Sequence, residues 1–301
     1  MSNVLLGGAI GDSLGMFAEK RTADDSLLIN WDGKTFLPSE YHKLNAGQWT
    51  DDTQLSIIVA ESLIKNHGFN PTSISEDYLK WFDSGTARGY GKTTKLAIDN
   101  LRDGKKYYES GIVDSYGNGT AMRAAPFGVY YKDDIKFLIE SIKTDSAITH
   151  ASNEAEAGAL AIGLAVAYCL NKQSENLIAK IVSHLPDSKV RESLLGIEEL
   201  VNSDVSVDKA YILLGTKADV RMTIPSVFFT FLKFNSFKEG ITKLIKAGGD
   251  TDTNAAILGS LYASNNIFDI DDYVLDSLED YKYIKELDYR LLNKEIFFFP
   301  R

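Results

Sequence analysis

Apolar residues recur at helical spacing along most of the chain. The segment 54–68 carries apolar residues three and four positions apart and ends at Gly68, which is typical of an amphipathic helix with a glycine cap. Alternating strand patterns are sparse, and the best of them, 127–131, is explained equally well by the end of a buried helix. The same helical periodicity occurs at 74–82, 93–104, 153–170, 190–201, 224–234, 237–249 and 253–264. We therefore predict an all-α fold with ten or more helices.

The most apolar run, 157–170, predicts a buried core helix rather than a membrane span. It is 14 residues long and rich in alanine, whereas a helix needs roughly 20 apolar residues to cross a bilayer. The N-terminal segment has no basic region and is interrupted by Asp12, so no signal peptide is predicted. No linker or repeat is evident, which indicates a single domain over residues 1–301. The apolar run 296–299 is expected to dock on the same chain.

Composition narrows the possible functions mainly by exclusion. The chain has 42 acidic and 32 basic side chains and a formal net charge of −10, which argues against a nucleic-acid partner. Its one cysteine excludes an internal disulfide or a thiolate cluster, and a reducing cytoplasm is the expected compartment. Its four histidines lie far apart without ligand-type spacing. Any metal is therefore expected to be held by oxygen atoms. We expect no membrane partner and a monomeric protein.

Two short acidic segments, WTDDT (49–53) and GGDTDTN (248–254), each come directly before a predicted helix, one beginning near Gln54 and the other near Ala255. Asp and Thr are preferred capping residues, so helix capping explains either segment alone. Metal ligation is the alternative, because carboxylate and hydroxyl oxygens suit Mg²⁺ or Mn²⁺ better than Zn²⁺. Capping leaves the repelling pairs of nearby carboxylates and the paired glycines 248–249 unexplained, whereas a shared binuclear centre would neutralise the carboxylates. We favour metal binding, which is compatible with capping.

A third segment, GGAIGDSLG (7–15), places small residues at helical spacing and is followed by Glu19. Close packing of two helices is sufficient to explain the glycines. Asp12 and Glu19 are seven positions apart, so a continuous helix would carry both on nearly one face. That pair predicts the wall of a pocket.

Two glycine-punctuated loops and one histidine complete the candidate chemistry. The GNGTAMR segment (117–123) can expose backbone N–H groups to an anion, although an ordinary turn is the alternative. The RGYGKTT segment (88–94) has neither the spacing nor the preceding strand of a P-loop. His150 precedes the core helix and is either a structural hydrogen-bonding group or a ligand contact.

Together these motifs resemble the ADP-ribosylglycohydrolase family. The matching segments are GAIGDSLGMFAE (8–19), WTDDTQL (49–55), RGYGKTT (88–94), GNGTAMR (117–123), TH (149–150) and GGDTDTNAAILG (248–259), in the order of the family and within about residues 4–262. The resemblance implies an all-α, orthogonally packed fold that holds two Mg²⁺ or Mn²⁺ ions. The implied metal ligands are Thr50, Asp51, Asp52, Asp250, Asp252 and Thr253. The implied substrate-binding residues are Tyr90, Gly117, Asn118, Gly119, Met122 and His150.

The resemblance also implies a hydrolase that cleaves the glycosidic bond between ADP-ribose and an acceptor, such as a protein arginine or a small conjugate. Glu19, Asp52 and Asp252 are the candidate catalytic carboxylates. Some family members carry a mechanistic Asp where this chain has Gly89, so that role falls to Glu19 or a metal-ligating aspartate. Loops 20–48 and 83–92 are expected to form the acceptor pocket. The alternatives are an ADP-ribose-binding regulatory protein, a two-metal phosphohydrolase that cuts the diphosphate, and a scaffold protein without metal affinity.

Overall fold

The computed structural model describes residues 2–22 and 24–295. Within those ranges the chain forms seventeen helices and no strand; the only β-type pairings are isolated bridges between Ser39 and Leu44 and between Gly117 and Asp219. The helices are α1 Val4–Gly15, α2 Ser26–Asn30, α3 Asp51–Lys65, α4 Pro71–Asp83, α5 Lys92–Arg102, α6 Ala125–Tyr130, α7 Ile135–Thr149, α8 Asn153–Leu170, α9 Leu177–Val182, α10 Lys189–Leu195, α11 Ile197–Asn202, α12 Val207–Leu214, α13 Val220–Lys233, α14 Phe237–Lys246, α15 Thr251–Ser264, α16 Asp272–Asp276 and α17 Tyr281–Asn293. The prediction of an all-α fold is confirmed. The apolar run 296–299 lies outside the described residues.

The predicted helices differ from the observed ones mainly at their ends. The predicted helix 190–201 is two helices, because the chain is interrupted at Gly196. The ambiguous segment 127–131 lies largely within helix α6. Helices α3 and α15 begin at Asp51 and Thr251, earlier than expected, so their acidic residues lie inside the first helical turn.

The apolar run predicted as a core helix is buried. Helix α8 packs against α6, α7, α13 and α15, and nearly all of its residues from Ala155 to Cys169 are inaccessible to solvent. In the part of the chain that the structure describes, no helix combines the length and the apolar character needed to cross a bilayer.

Helices α1 and α15 pack antiparallel at unusually short distance, and this contact positions the acidic segments. Gly7 faces Gly259, Gly11 faces Ala255, and Gly15 faces Thr251. A Cβ atom on Gly11 would lie 2.0 Å from the Ala255 carbonyl oxygen, so only glycine permits this approach. The contact therefore brings the C-terminal end of α1 beside the N-terminal end of α15.

Asp12 and Glu19 do not share a helix face as predicted. Helix α1 ends at Gly15, where the Thr251 hydroxyl donates to the Gly15 carbonyl oxygen, and residues 16–20 form turns. Asp12 is fully buried behind the site, whereas Glu19 reaches the pocket from the turn. The prediction failed because tertiary packing ends the helix where the sequence pattern continues.

The C-terminal part of the chain holds the N-terminal part in place. Asn3, at the N-cap of α1, makes no capping hydrogen bond with its side chain. Instead, the Asp288 carboxylate of α17 accepts hydrogen bonds from the amides of Leu5 and Leu6 at 3.1 and 2.9 Å. Asp288 therefore supplies the cap that the local sequence lacks.

Candidate active site

A cavity of about 390 Å³ gathers most of the predicted site residues into one place. Its lining includes Glu19, Asp51, Asp52, Tyr90, Gly117, Asn118, Gly119, Met122, His150, Asp250, Asp252 and Thr253. Thr50 lies behind this surface, with its hydroxyl oxygen 2.9 Å from Asp52 Oδ2 and 3.0 Å from Asp12 Oδ1. The lining also contains Lys20 and Tyr41, from the loop expected to form the acceptor side.

Asp12 fastens the first turn of α3 to α1. Its carboxylate accepts hydrogen bonds from the amides of Thr50 and Thr53, the closest at 3.0 and 3.1 Å, and from the Thr53 hydroxyl at 2.6 Å. Thr50 also caps α3 by accepting from the Asp52 amide. These contacts fix the start of α3, where Asp51 Oδ1 lies beside Gly89 and Asp52 Oδ2 accepts from the Thr253 hydroxyl of α15 at 3.4 Å.

Capping accounts for Thr50 but not for Asp250. Asp250 is the N-cap residue of α15, yet its carboxylate makes no capping hydrogen bond; its Oδ2 atom accepts from Asn118 Nδ2 at 2.5 Å. The preceding Gly248 and Gly249 adopt φ angles of +75° and +91°. This left-handed path, which favours glycine, turns Asp250 toward the cavity, as the paired glycines predicted.

Six buried or nearly buried carboxylates meet here, and we refer to them as the acidic cluster: Asp12, Glu19, Asp51, Asp52, Asp250 and Asp252. Burial raises the pKa of Asp51, Asp52 and Asp250 well above the usual carboxyl range, and their negative neighbours add to the rise. Burial and Asp252 likewise raise the pKa of Asp12 to about 7, against its hydrogen bonds. The cluster is short of positive charge.

His42 lies inside this cluster, although its position in the sequence did not mark it as a site residue. Its Nε2 atom is 2.6 Å from Glu19 Oε2 and 3.3 Å from Asp252 Oδ2. Burial acts to lower the pKa of His42, but the two carboxylates outweigh it and raise the pKa to about 10. Burial acts to raise the pKa of Asp252, but His42 outweighs burial and lowers it. Sequence spacing missed His42 because it lies in a loop, where no helical period relates it to either acidic motif.

The opposite wall of the cavity is the 117–119 loop. The Gly117 amide donates to Ser115 Oγ at 3.3 Å, and the antiparallel bridge between Gly117 and Asp219 turns the Asn118 amide toward residue 218. The Gly119 amide donates to no group within residues 2–22 and 24–295 and is therefore available to an anion.

A buried group that we call the arginine cluster supports this loop: Tyr78, Arg123, Asp145 and Thr149. Arg123 is fully buried and donates to Asp145 Oδ2, the Gly119 carbonyl and Thr149 Oγ1, each at 2.9 Å. Tyr78 donates to the other Asp145 oxygen at 2.7 Å. This network fixes both the loop and the end of α7.

His150 is attached to the same network and faces the loop. Its Nδ1 atom is 2.8 Å from Thr149 Oγ1. Burial, with the positive charge of Arg123, lowers the pKa of His150 to about 3, so the ring is neutral near pH 7. Because the Thr149 hydroxyl already accepts from Arg123, its own proton is available to Nδ1. This leaves Nε2 as an N–H donor on the cavity side.

Tyr90 and the residues around it form the rim. The Tyr90 ring packs against Phe82 with centroids 4.7 Å apart. Arg88 pairs with Glu279 and donates to the Trp49 carbonyl at 3.0 Å. Glu279 belongs to the C-terminal part of the chain, in which the sequence shows no diagnostic motif, yet it holds the loop that precedes α3.

The residues present fit divalent cations. Asp52 Oδ1 and Asp252 Oδ1 are buried and have no hydrogen-bond partner among the described residues. A buried carboxylate oxygen without a partner is costly, and a hard cation would satisfy it. The carboxylates of Glu19 and Asp252 lie close enough to His42 Nε2 for the three to bind one ion.

Comparisons with known proteins place these observations in a family. A family model described as ADP-ribosylglycohydrolase matches residues 2–296. An uncharacterized protein of Archaeoglobus fulgidus is 31% identical over 292 residues, which cover 96% of this chain and 94% of that protein. The ADP-ribosylarginine hydrolase Tri1 of Serratia proteamaculans is 25% identical over 275 residues, which cover 87% of this chain and 71% of Tri1. A solved structure titled ADP-ribosylglycohydrolase-related protein complex has the same fold, with a TM-score of 0.72 at 24% identity over 98% of this chain and 97% of that one. The chain therefore belongs to the ADP-ribosylglycohydrolase family.

Proposed function

We propose that this protein hydrolyses the glycosidic bond between ADP-ribose and an acceptor and uses two divalent ions, Mg²⁺ or Mn²⁺. The observation that carries the proposal is the acidic cluster, whose buried carboxylates include oxygens without partners and converge on one cavity. The proposed metal ligands are Thr50, Asp51, Asp52, Asp250, Asp252 and Thr253. When bound, such ions supply positive charge that orients sugar hydroxyls and lowers the pKa of water.

Glu19 is the proposed general base, with Asp52 and Asp252 as further catalytic carboxylates. Its carboxylate is held from two sides, by Lys20 Nζ at 2.5 Å from Oε1 and by His42 Nε2 at 2.6 Å from Oε2. This fixes the Glu19 carboxylate at the cavity edge, where it can take a proton from water as the glycosidic bond breaks.

The 117–119 loop is the proposed nucleotide side of the cavity. The Gly119 amide would donate to the diphosphate, and His150 Nε2 adds one more donor. Met122 and Tyr90 offer apolar surface beside these donors. Local amides suit this task in a chain of net charge −10, because the overall field repels an anionic ligand.

The acceptor side is proposed to lie beyond Glu19. A second hollow of about 300 Å³ shares Glu19, Lys20 and Tyr41 with the main cavity and is also lined by Asp25 and Glu40. Arg21 in the same hollow pairs with Asp25, and Lys20 pairs with Glu19. The exposed Glu40 is therefore the carboxylate that would meet a cationic acceptor such as arginine, the acceptor in the name of Tri1. We further propose that the protein acts as a monomer and lies in a reducing cytoplasm, which suits its one buried, free cysteine.

Product analysis tests the proposal. ADP-ribosylated arginine, serine and small esters would be incubated with the protein in Mg²⁺, Mn²⁺ or EDTA, and free ADP-ribose and AMP would be separated by chromatography. We expect ADP-ribose from at least one substrate, and none in EDTA. AMP as the product would indicate a phosphohydrolase. Tight ADP-ribose binding without turnover would indicate a regulatory protein.

Two variants assign the roles of the carboxylates. Asp252→Ala should abolish hydrolysis and weaken metal binding while the circular dichroism spectrum stays helical. Glu19→Gln should lose rate by about 100-fold or more, because it removes the proposed base, and should retain metal binding, because the amide oxygen of Gln is still a donor for a hard cation. Full activity in Asp252→Ala would contradict the metal centre, and an unchanged rate in Glu19→Gln would make Glu19 structural.

A further inference from the structure

The loop that carries His42 is built to hold its side chain at one point. Ser39 and Leu44 exchange backbone hydrogen bonds at 2.9 and 3.1 Å, and Lys43 adopts a left-handed φ of +56°. Ser39 Oγ donates to the Met16 carbonyl at 2.8 Å, which ties this tight turn to the end of α1. The His42 side chain is only 3% exposed. The imidazole therefore enters the cavity wall on a fixed support.

The distances around His42 Nε2 match the spacing of ligands on one ion. In a six-coordinate site with bonds of about 2.1 Å, neighbouring ligand atoms lie about 3.0 Å apart. Nε2 is 2.6 Å from Glu19 Oε2 and 3.3 Å from Asp252 Oδ2, so the observed separations lie on either side of that value. Although both carboxylates are this close, the buried Nε2 atom makes a hydrogen bond of good geometry with no group among the described residues. Asp252 Oδ1 is likewise buried without a partner among the described residues.

The residue opposite the imidazole leaves room for it. Gly89 has a φ of +67°, and a Cβ there would lie 3.2 Å from His42 Nδ1 and 3.0 Å from Asp51 Oδ1. Any side chain at position 89 would therefore press on His42. Glycine at this position leaves the imidazole in place, whereas a larger residue would strain the backbone and require His42 or Asp51 to shift.

We propose that His42 is a nitrogen ligand of the divalent-metal centre, together with Glu19 and Asp252, and that it favours a first-row transition ion over Mg²⁺. An imidazole nitrogen is a softer donor than a carboxylate or water oxygen, and Mg²⁺ gains little from it. This inference rests on the proposed function, because it refines the composition of the same centre. The competing role for His42 is an ion pair that links two carboxylates without binding metal.

Pulsed electron paramagnetic resonance of bound Mn²⁺ tests this directly on the full chain. Nitrogen-14 coupling to Mn²⁺ is expected in the wild-type protein and should change to the nitrogen-15 pattern when histidine alone is labelled with ¹⁵N. His42→Gln should remove the coupling. His150→Gln, which alters the other imidazole of the cavity, should retain it. The labelling experiment needs no substitution and stands even if His42→Gln fails to fold.

Metal competition provides a second measurement. His42→Gln should weaken Mn²⁺ binding by about tenfold or more, in the range found when metal-site histidines lose their support, and Mg²⁺ binding by less than about threefold. Bound Mn²⁺ without histidine coupling would overturn this inference and leave the proposed centre intact. An equal loss for both ions would also overturn it. A wild-type protein that binds no Mn²⁺ would instead contradict the metal centre of the proposed function.

Discussion

The acidic cluster and the arginine cluster are both buried and charged, and they differ in how their charges are balanced. In the arginine cluster one guanidinium meets one carboxylate, and both Asp145 oxygens accept hydrogen bonds, from Arg123 and Tyr78. In the acidic cluster six carboxylates meet one imidazole and one exposed lysine, and Asp52 Oδ1 and Asp252 Oδ1 have no hydrogen-bond partner in the part of the chain that the structure describes. The two lie on either side of the 117–119 loop.

This difference distinguishes a cluster that stabilises the fold from a cluster that is suited to binding cations. Removing ions from water is costly and is compensated only by close partners with good geometry. The arginine cluster meets this condition with protein groups, so it stabilises the loop above it. The acidic cluster does not meet it, so it is poised to bind cations. The predictions below test this contrast, starting from the largest expected effect.

Removing the positive charge of the arginine cluster should produce the largest loss of stability. Arg123→Met leaves the buried Asp145 carboxylate without its counterion, and the free energy of unfolding should fall by about 3–5 kcal/mol. Denaturant unfolding in EDTA measures this loss. Adding Asp145→Leu to the variant should recover part of it. A loss below about 1 kcal/mol would show that Asp145 is satisfied without Arg123.

Removing one carboxylate from the acidic cluster should affect stability in the opposite direction. Asp52→Asn removes one of several repelling carboxylates, so stability in EDTA should stay unchanged or rise. The gain on adding Mn²⁺, about 3 kcal/mol for the wild-type protein at 100 times its Kd, should be largely lost. Asp145→Asn is the matched control, which should lose stability in EDTA and keep the metal-dependent gain. If both variants behaved alike, the contrast between the clusters would be wrong.

Asp288 is intermediate between the two clusters, because amides of helix α1 rather than a counterion stabilise its buried carboxylate. Burial raises its pKa from 3.8 to about 6, against the hydrogen bonds it accepts. The folded state therefore binds more protons than the unfolded state between pH 4 and 6, and this group's contribution to stability falls as pH rises through that window. In Asp288→Asn, the free energy of unfolding should change less between pH 4 and pH 7, by about 2 kcal/mol, than it does in the wild-type protein. Unfolding curves at pH 4, 5, 6 and 7 would show an identical slope in both proteins if the carboxylate titrates elsewhere.

The Arg88–Glu279 pair should give the smallest effect. Both side chains are about a quarter exposed, at 24% and 26%, and water screens such pairs. Glu279→Gln keeps a hydrogen-bond acceptor for Arg88 and should lower stability by about 1 kcal/mol or less. Because this pair holds the loop before α3, the KM for substrate should rise more than kcat falls. A loss as large as that of Arg123→Met would place the pair among the buried, balanced groups.

Motifs close together in the sequence predicted much of the fold and the site. Helical periodicity predicted α8 with its observed bounds. The acidic motifs predicted four residues that line the cavity, Asp51, Asp52, Asp250 and Asp252, because residues at the start of a helix lie within one turn of each other. The paired glycines before Asp250 predicted the observed turn for the same reason. The metal roles of these residues remain predictions.

Long-range contacts explain what the sequence did not reveal. His42 joins Glu19 and Asp252 through a loop, Asp288 caps a helix from the far end of the chain, and Glu279 anchors Arg88. Each of these pairings joins segments with no shared periodicity. The ending of α1 at Gly15 depends likewise on α15.

By itself the sequence determined an all-α chain with two acidic helix starts and the motifs of its family, since helix periodicity, capping and glycine conformations are local properties. Only the tertiary structure decided that five carboxylates line one cavity, with Asp12 buried behind it and His42 in contact with two of them, while Arg123 and Asp145 neutralise each other beneath it. That division has one physical reason. The cost of a buried charge depends on which groups surround it, and the backbone approach of α1 and α15 sets those surroundings.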